Sequence, residues 1–429
     1  MKWRNQLLAL FCLLGFAALG VVYFQLWVVQ KPFGIVLFIG EGLTPGRLAA
    51  TRVYSGGADA RLALDSMDKV ALLTNFSNDF ATPDQAAAAT AFATGKKVNN
   101  HTIGLDVRGQ AITNIIELAR AQGRATGLVT DTSLTNPTCA AFYAHTAHAN
   151  DTEDLAAQLV EGGKFDVALG GGAADFLPQT KNGRRRDGRD LIFEMRREGF
   201  EFARSKAEIE AVPGWRRPKL LGLFGDGSLA YLDQIAAHSD QPRLSDMVRR
   251  AIELLQFNRG GYVLVVDAGL MREAAQANNG ERTLAETAEL DRAVGVARRY
   301  VGRKATILVC GDTAIGGLSM NGFPFRKDSG VAILGLNSAG DPTLSWASGP
   351  NGVASYGASR LSTGPRSENV NSATETASPQ PPQEPAAIYA PAAANTVDDM
   401  VAFGSGPGAD ALHGSASNTI IFEIVRDNL

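Results

Sequence analysis

The sequence is poor in the residues that most often build metal and redox sites. It holds only five His and three Cys among 429 residues. Cys12, Cys139 and Cys310 form no CxxC and no Cys/His pairing, which excludes a disulfide scaffold and a thiolate zinc knuckle. Hydrolytic zinc sites usually draw on several imidazoles, so five His argue against one. There is also no excess of basic charge. With 41 Lys plus Arg against 44 Asp plus Glu, the net charge of −3 leaves no footprint for nucleic acid. Charged residues are sparse at 20%, while the 46 Gly point to a buried sheet with many tight turns. The length suffices for one large α/β domain or two smaller ones.

What is present begins with a long apolar run. From Leu7 to Val29 the only strongly polar residue is Gln25, with Lys2 and Arg4 ahead of the run and Gln30 and Lys31 behind it. As a helix, that length crosses a bilayer. The two leading cations favour an N-terminus inside and a body outside, against the weaker pull of Lys31. Ala18-Leu19-Gly20 offers a small-x-small cleavage site, as a removable signal would. The apolar run continues to Val29, however, beyond a signal core, so an uncleaved signal-anchor over residues 1–31 is the expectation. The membrane is then one partner, and the body, residues 32–429, is extracytoplasmic, either periplasmic or extracellular.

Short β-branched apolar runs follow at Gly34–Ile39, Val70–Phe76, Ala125–Thr130, Phe165–Leu169, Gly261–Val266 and Ala305–Cys310. Helical patterns lie between them at Gln85–Thr94, Ala111–Ala121, Asp151–Leu159, Leu244–Gln256 and Arg282–Tyr300. Continuous apolar strands separated by helices predict an α/β fold with a mostly parallel sheet covered on both faces. In such sheets ligands gather outside the carboxyl ends of the strands. An acid stands there four times, at Glu41, Asp131, Asp267 and Asp312. Capping of a following helix is the plainer role for Asp131. Two stretches break the pattern. Lys181–Arg189, with three consecutive arginines, reads as a solvated loop, and the Pro/Ala/Ser-rich residues 365–395 read as a flexible surface loop or lid. Ile420–Val425 is expected to pack back on the core as a last strand or helix.

The strand ends carry ordered motifs: Phe38–Leu43, Thr82–Gly95, Thr135–His145, Asp166–Gly172, Val265–Arg272 running into Glu289–Val294, and Cys310–Ser319. Together they resemble the alkaline phosphatase family from about Gly34 to Val425. The resemblance implies that family's central, mostly parallel sheet sandwiched by helices, here behind an N-terminal transmembrane helix. It also implies a chemistry of two zinc ions, a magnesium ion, an activated serine and an arginine clamp on phosphate. Read position by position, most of that chemistry is missing. Gln85 stands for the serine, after Asp84, which caps the helix, and Ala149 stands for the clamp arginine. The first zinc site is replaced by Arg272, Gln276 and Asn395; at the second, Asp312 remains, but Thr313 replaces a histidine and Glu41 an aspartate. Zinc is therefore not expected.

The magnesium corner differs, because Glu41, Thr138 and Asp267 are all oxygen donors where the family has Asp, Thr and Glu. With Asp312 they make a residual Mg2+ or Ca2+ site an expectation, against the alternative that the acids only accept hydrogen bonds or pair with Arg272. Arg272 is expected to replace the metals' charge by pairing with Asp312 or Glu41. The surviving His145, His148 and His413 fall off the metal positions, and Cys139 and Cys310 read as small buried thiols. The leading reading is a membrane-anchored pseudophosphatase with a binding or scaffold role and an unidentified protein partner. One rival is a residual magnesium-dependent phosphate monoester hydrolase, and another is a purely structural partner of a membrane protein. Family members are often dimers, so a homodimer is a further expectation from the resemblance.

Overall fold

The computed structural model describes residues 2–23, 33–302, 304–321, 326–328, 330–336, 340–352 and 384–429. In chain order the first elements are α1 (Lys2–Tyr23), β1 (Gly34–Gly40), α2 (Pro45–Gly56), β2 (Lys69–Thr74), α3 (Gln85–Thr94), α4 (Ile115–Ala121), β3 (Ala125–Ser133) and α5 (Pro137–Ala140). Next come α6 (Thr152–Glu161), β4 (Val167–Gly171), α7 (Ala173–Phe176), α8 (Leu191–Arg197), β5 (Phe200–Ala203), α9 (Lys206–Ala211), β6 (Lys219–Leu223) and α10 (Leu244–Leu255). The series continues with β7 (Tyr262–Ala268), α11 (Leu270–Gln276), α12 (Gly280–Tyr300), β8 (Ala305–Gly311), β9 (Ala314–Ile315) and β10 (Ser319–Met320). The last are β11 (Leu344–Gly349), β12 (Ala386–Tyr389), β13 (Asn395–Thr396), β14 (Met400–Ser405), β15 (Ser415–Ser417) and α13 (Ile420–Asp427).

Ten strands form one sheet in the order β15-β2-β14-β8-β1-β7-β3-β4-β6-β5. From β8 to β5 all neighbours pair in parallel, and β14 runs antiparallel between β8 and β2. Every residue of β1, β7 and β8 is buried, as their unbroken apolar runs require when helices cover both faces. Alternate residues of β1 feed two cores. Ile35, Leu37 and Ile39 pack with Ala89 and Phe92 of α3, while Val36 and Phe38 pack with Met247 of α10 and Leu290 of α12. The described side chains of α1 are exposed, so this helix contributes nothing to either core.

Three regions sharpen or correct the sequence reading. The C-terminal segment is helix α13, with Ile421, Ile424 and Val425 buried. Lys181–Arg189 is not wholly solvated: the Arg185 side chain is buried, paired with Asp187, and donates to Glu153 O at 2.8 Å and Asp175 O at 3.3 Å. Residues 353–383, with most of the Pro/Ala/Ser-rich stretch, lie outside the described residues, as do residues 24–32 of the N-terminal apolar run. The end of the Pro/Ala/Ser-rich stretch holds β12, which pairs in parallel with β11.

Candidate functional site

Register brings three acids to one rim. Gly40 at the end of β1 aligns with Ala268 on β7 and Gly311 on β8, which sets Glu41 beside Asp267 and Asp312. All three carboxylates are fully buried. The turn after β1 needs Gly42, whose φ is +86° and whose absent Cβ would collide with the Arg47 guanidinium. That space lets Gly42 N donate to Asp312 Oδ1 at 2.9 Å. Asp131, also close by, has a different role. It accepts from Gly269 N at 2.7 Å and Leu270 N at 3.1 Å, capping α11 rather than the helix after its own strand.

Glu41 gathers the most contacts. Its Oε2 accepts from Gln85 Nε2, the first residue of α3, and lies 3.7 Å from Arg272 Nε on α11. Arg272 is itself buried and donates from Nη1 to Thr313 Oγ1 at 3.1 Å. A second buried guanidinium, Arg47 on α2, donates to Glu41 O at 3.0 Å and to Ile315 O at 3.5 Å. Sequence reasoning missed Arg47. A cation in the first turn of a helix capped by Thr44 is dipole-disfavoured, and that was the available signal. Burial holds Arg47 down to about 10, with Asp312 pulling the other way.

The acids share a proton economy. Burial, then the charges of Asp267 and Asp312, push Glu41 well above the usual carboxylate range, and Arg272 opposes them. Burial raises Asp267 to about 6, while hydrogen bonds from Glu41 and Thr130 hold it down. The Thr130 hydroxyl donates to Asp267 Oδ2 at 2.8 Å, with the Cys139 thiol at 3.5 Å. Burial also raises Asp312, with Arg272 as the chief opposing charge. With the carboxyls ionised, the buried oxygens Glu41 Oε1, Thr138 Oγ1, Asp267 Oδ1 and Asp312 Oδ2 have no hydrogen-bond partner among the described residues, whereas a protonated Glu41 bonds Asp267.

Asp84 caps α3 by accepting from Ala87 N at 2.9 Å and also pairs with His101 at 3.0 Å. Asn395 donates to Pro83 O at 2.8 Å, just ahead of that cap, and Ala393 N donates to Gln276 O at 2.9 Å. Ala149 is buried with its N–H on His101 O at 3.2 Å. His145 bonds Gly104 O and Glu117, away from the rim, and His413 is exposed.

A family model for alkaline phosphatase matches residues 34–429. The chain belongs to the alkaline phosphatase family. Among its relatives, the tissue-nonspecific isozyme of Gallus gallus is 31% identical over 64% of this chain and 62% of its own length. The membrane-bound alkaline phosphatase of Bombyx mori is 30% identical over 74% of this chain and 66% of its own. The chain thus spans just under two thirds of the length of both relatives. The alkaline phosphatase of Gadus morhua is 27% identical over 90% of this chain and 89% of its own. In fold, the chain is similar to the enzyme of the Antarctic bacterium TAB5 (TM-score 0.70, 19% identity, 93% of this chain and 98% of that one). It is also similar to the Thermus thermophilus enzyme (TM-score 0.72, 22% identity, 94% and 92%). A TAB5 variant is described with Mg bound in its M3 site.

The family's metals can be tested against these side chains. The donors present do not suit zinc: the Arg272 guanidinium lies beside Glu41 and bonds Thr313, Asn395 bonds Pro83 O, and among the described residues no imidazole is bonded to the three acids. Magnesium fits by donor type alone. Glu41 Oε1, Thr138 Oγ1 and Asp267 Oδ1 are buried hard oxygens, without a hydrogen-bond donor while the carboxyls are ionised. Yet among the described residues no group of three or more His, Cys, Asp or Glu is spaced to hold a metal ion.

Proposed function

We propose that this member of the alkaline phosphatase family is a membrane-anchored pseudophosphatase. Its α1 would serve as a retained anchor and its body would lie outside the cytoplasm, in a binding or scaffold role. The observation that carries the reading is the Arg272 guanidinium between Glu41 and Thr313. It supports the reading by supplying fixed positive charge beside the acids, at a residue the resemblance aligns with a zinc ligand. An amide at position 85 cannot attack phosphorus, and Ala149 cannot clamp a phosphate. Each departure removes a separate requirement for catalysis, so restoring one leaves the others unmet.

The buried hard oxygens favour a second reading, in which Glu41, Thr138 and Asp267 hold Mg2+ or Ca2+ and a slow phosphate monoester hydrolysis survives. That reading needs a general base and a phosphate clamp besides the metal. Calorimetric titration of the full chain separates the two. Absence of saturable Zn2+ binding supports the main reading, and zinc binding that is lost in Asp312→Ala overturns it. Saturable Mg2+ binding lost in Glu41→Ala supports the second.

A further inference from the structure

We infer that a cleft between the ends of β4, β5 and β6 and helix α8 is a binding site for a small aromatic monoanion, a planar ring carrying one carboxylate. Parallel sheets take ligands outside the carboxyl ends of their strands. Strands β4, β6 and β5 end at Gly171, Leu223 and Ala203, and residues just past those ends line the cleft: Ala173, Phe224 to Asp226, and Arg204. Three strand steps, from β7 to β6, separate it from the acidic rim, roughly 14 Å along the sheet. It is a second site on the same edge, and its chemistry does not depend on what the rim holds.

The fold sets the shape of the cleft. Ala173 N donates to Gly225 O at 2.9 Å and Gly172 N to Gly227 O at 2.8 Å, which ties the loops after β4 and β6 together. On α8, Phe193 and Arg196 stand three residues apart and share one side of the helix. Phe202 on β5 and Arg204 just beyond it alternate with Ala203 and share a face. The volume is about 600 Å³, within the range of small-molecule sites. Ile192, Leu223 and Phe224 line it as buried side chains, Phe202 is half-buried, and Phe193 is 58% exposed. A ligand ring laid against Phe193 and Phe202 would remove that apolar surface from water.

The charges select an anion. Three cations, Lys181, Arg196 and Arg204, line the cleft with two carboxylates, Asp190 and Asp226. Lys181 is neutralised by Asp190 at 2.6 Å. The Arg204 guanidinium lies 5.3 Å from the Phe202 ring centroid, a contact that directs it without neutralising it. Neither Arg204 nor Arg196 has a carboxylate partner among the described residues, and Asp226 is likewise unpaired, so the lining carries one positive charge in excess. An aromatic carboxylate meets both features of the cleft: its ring covers the phenylalanines, and its oxygens accept from the guanidinium groups. Inorganic phosphate would leave the apolar lining bare. A neutral ring would leave both guanidinium groups without an acceptor.

The test is calorimetric titration of the full chain in phosphatidylcholine nanodiscs, with empty discs as the blank and three probes: 2-naphthoate, the neutral 2-naphthylmethanol and inorganic phosphate. Naphthoate should bind saturably at one site per chain, at least about tenfold more tightly than either other probe. Arg196→Gln/Arg204→Gln should weaken naphthoate by at least about tenfold and leave the alcohol unchanged, while Phe193→Ala should weaken both ring compounds. All three side chains are exposed, so the substitutions leave the core untouched. Absence of saturable naphthoate binding, or binding unchanged in either variant, overturns the site. Equal affinity for naphthoate and naphthylmethanol overturns the anion, and equal affinity for naphthoate and phosphate overturns the ring.

Discussion

Truncating Arg272 should destabilise the fold in a way that depends on pH. The guanidinium lies 3.7 Å from Glu41 Oε2 and donates to Thr313 at 3.1 Å. At an effective dielectric of about 20, two unit charges at that separation interact by about 4 kcal/mol. Removing one partner of a buried pair generally costs about 3–5 kcal/mol, because the other charge is stranded. Arg272 also pulls down both Glu41 and Asp312, which burial pushes up. In Arg272→Met their folded-state values rise further above the unfolded ones. The native state then holds protons that the unfolded state releases, so stability falls as pH rises through the gap between them. Urea unfolding of the full chain in detergent should show a loss of about 3–5 kcal/mol near pH 8.5 and under about 1 kcal/mol near pH 5. Adding Glu41→Gln should recover much of the alkaline loss, since no charge is then stranded at that position. An equal loss at both pH values, or none at the higher one, would refute the charge-replacement argument.

Asp267 gives a second pH effect. Its folded-state value of about 6 lies above the usual carboxylate value, so its contribution to stability is full below about pH 4 and is lost as pH rises through 6. Asp267→Asn should flatten that slope by about 3 kcal/mol between pH 4 and 7, measured by urea unfolding. Arg185→Met should cost about 2–4 kcal/mol by the same method, because it leaves Asp175 O and Glu153 O unpaired, whereas the neighbouring exposed Arg186→Met should change little. On the proposed reading, Gln85→Ser should leave phosphate ester turnover at the level of the uncatalysed reaction, since the Arg272 guanidinium still sits beside Glu41; a measured rate above it would show that the nucleophile alone was missing.

Much of the architecture was readable because buried parallel strands are continuously apolar. Gly34–Ile39 and Gly261–Val266 match β1 and β7 to within a residue or two. Helix α3 matches its predicted span because Asp84 caps it at one end and Gly95 closes it with a left-handed turn. The short β5, α8 and α9 were not legible, as four to seven residues show too little periodicity. At the rim, acids at strand ends stood out, and the family motifs gave each a counterpart. Arg47 did not, because its partners are backbone carbonyls, one of them on Ile315, 268 residues away. Arg185 was hidden for a similar reason. A run of arginines reads as solvated, and only the fold shows that the middle one turns inward to carbonyls of α6 and α7.

The central claim is that the family's fold persists here without its hydrolysis. Its most direct test is the turnover of a generic phosphate monoester by the full chain, with Zn2+ and Mg2+ supplied and with Asp312→Ala and Glu41→Ala measured alongside. The account predicts that all three proteins give the rate of the uncatalysed reaction. Turnover by the natural sequence that disappears in both variants would contradict it.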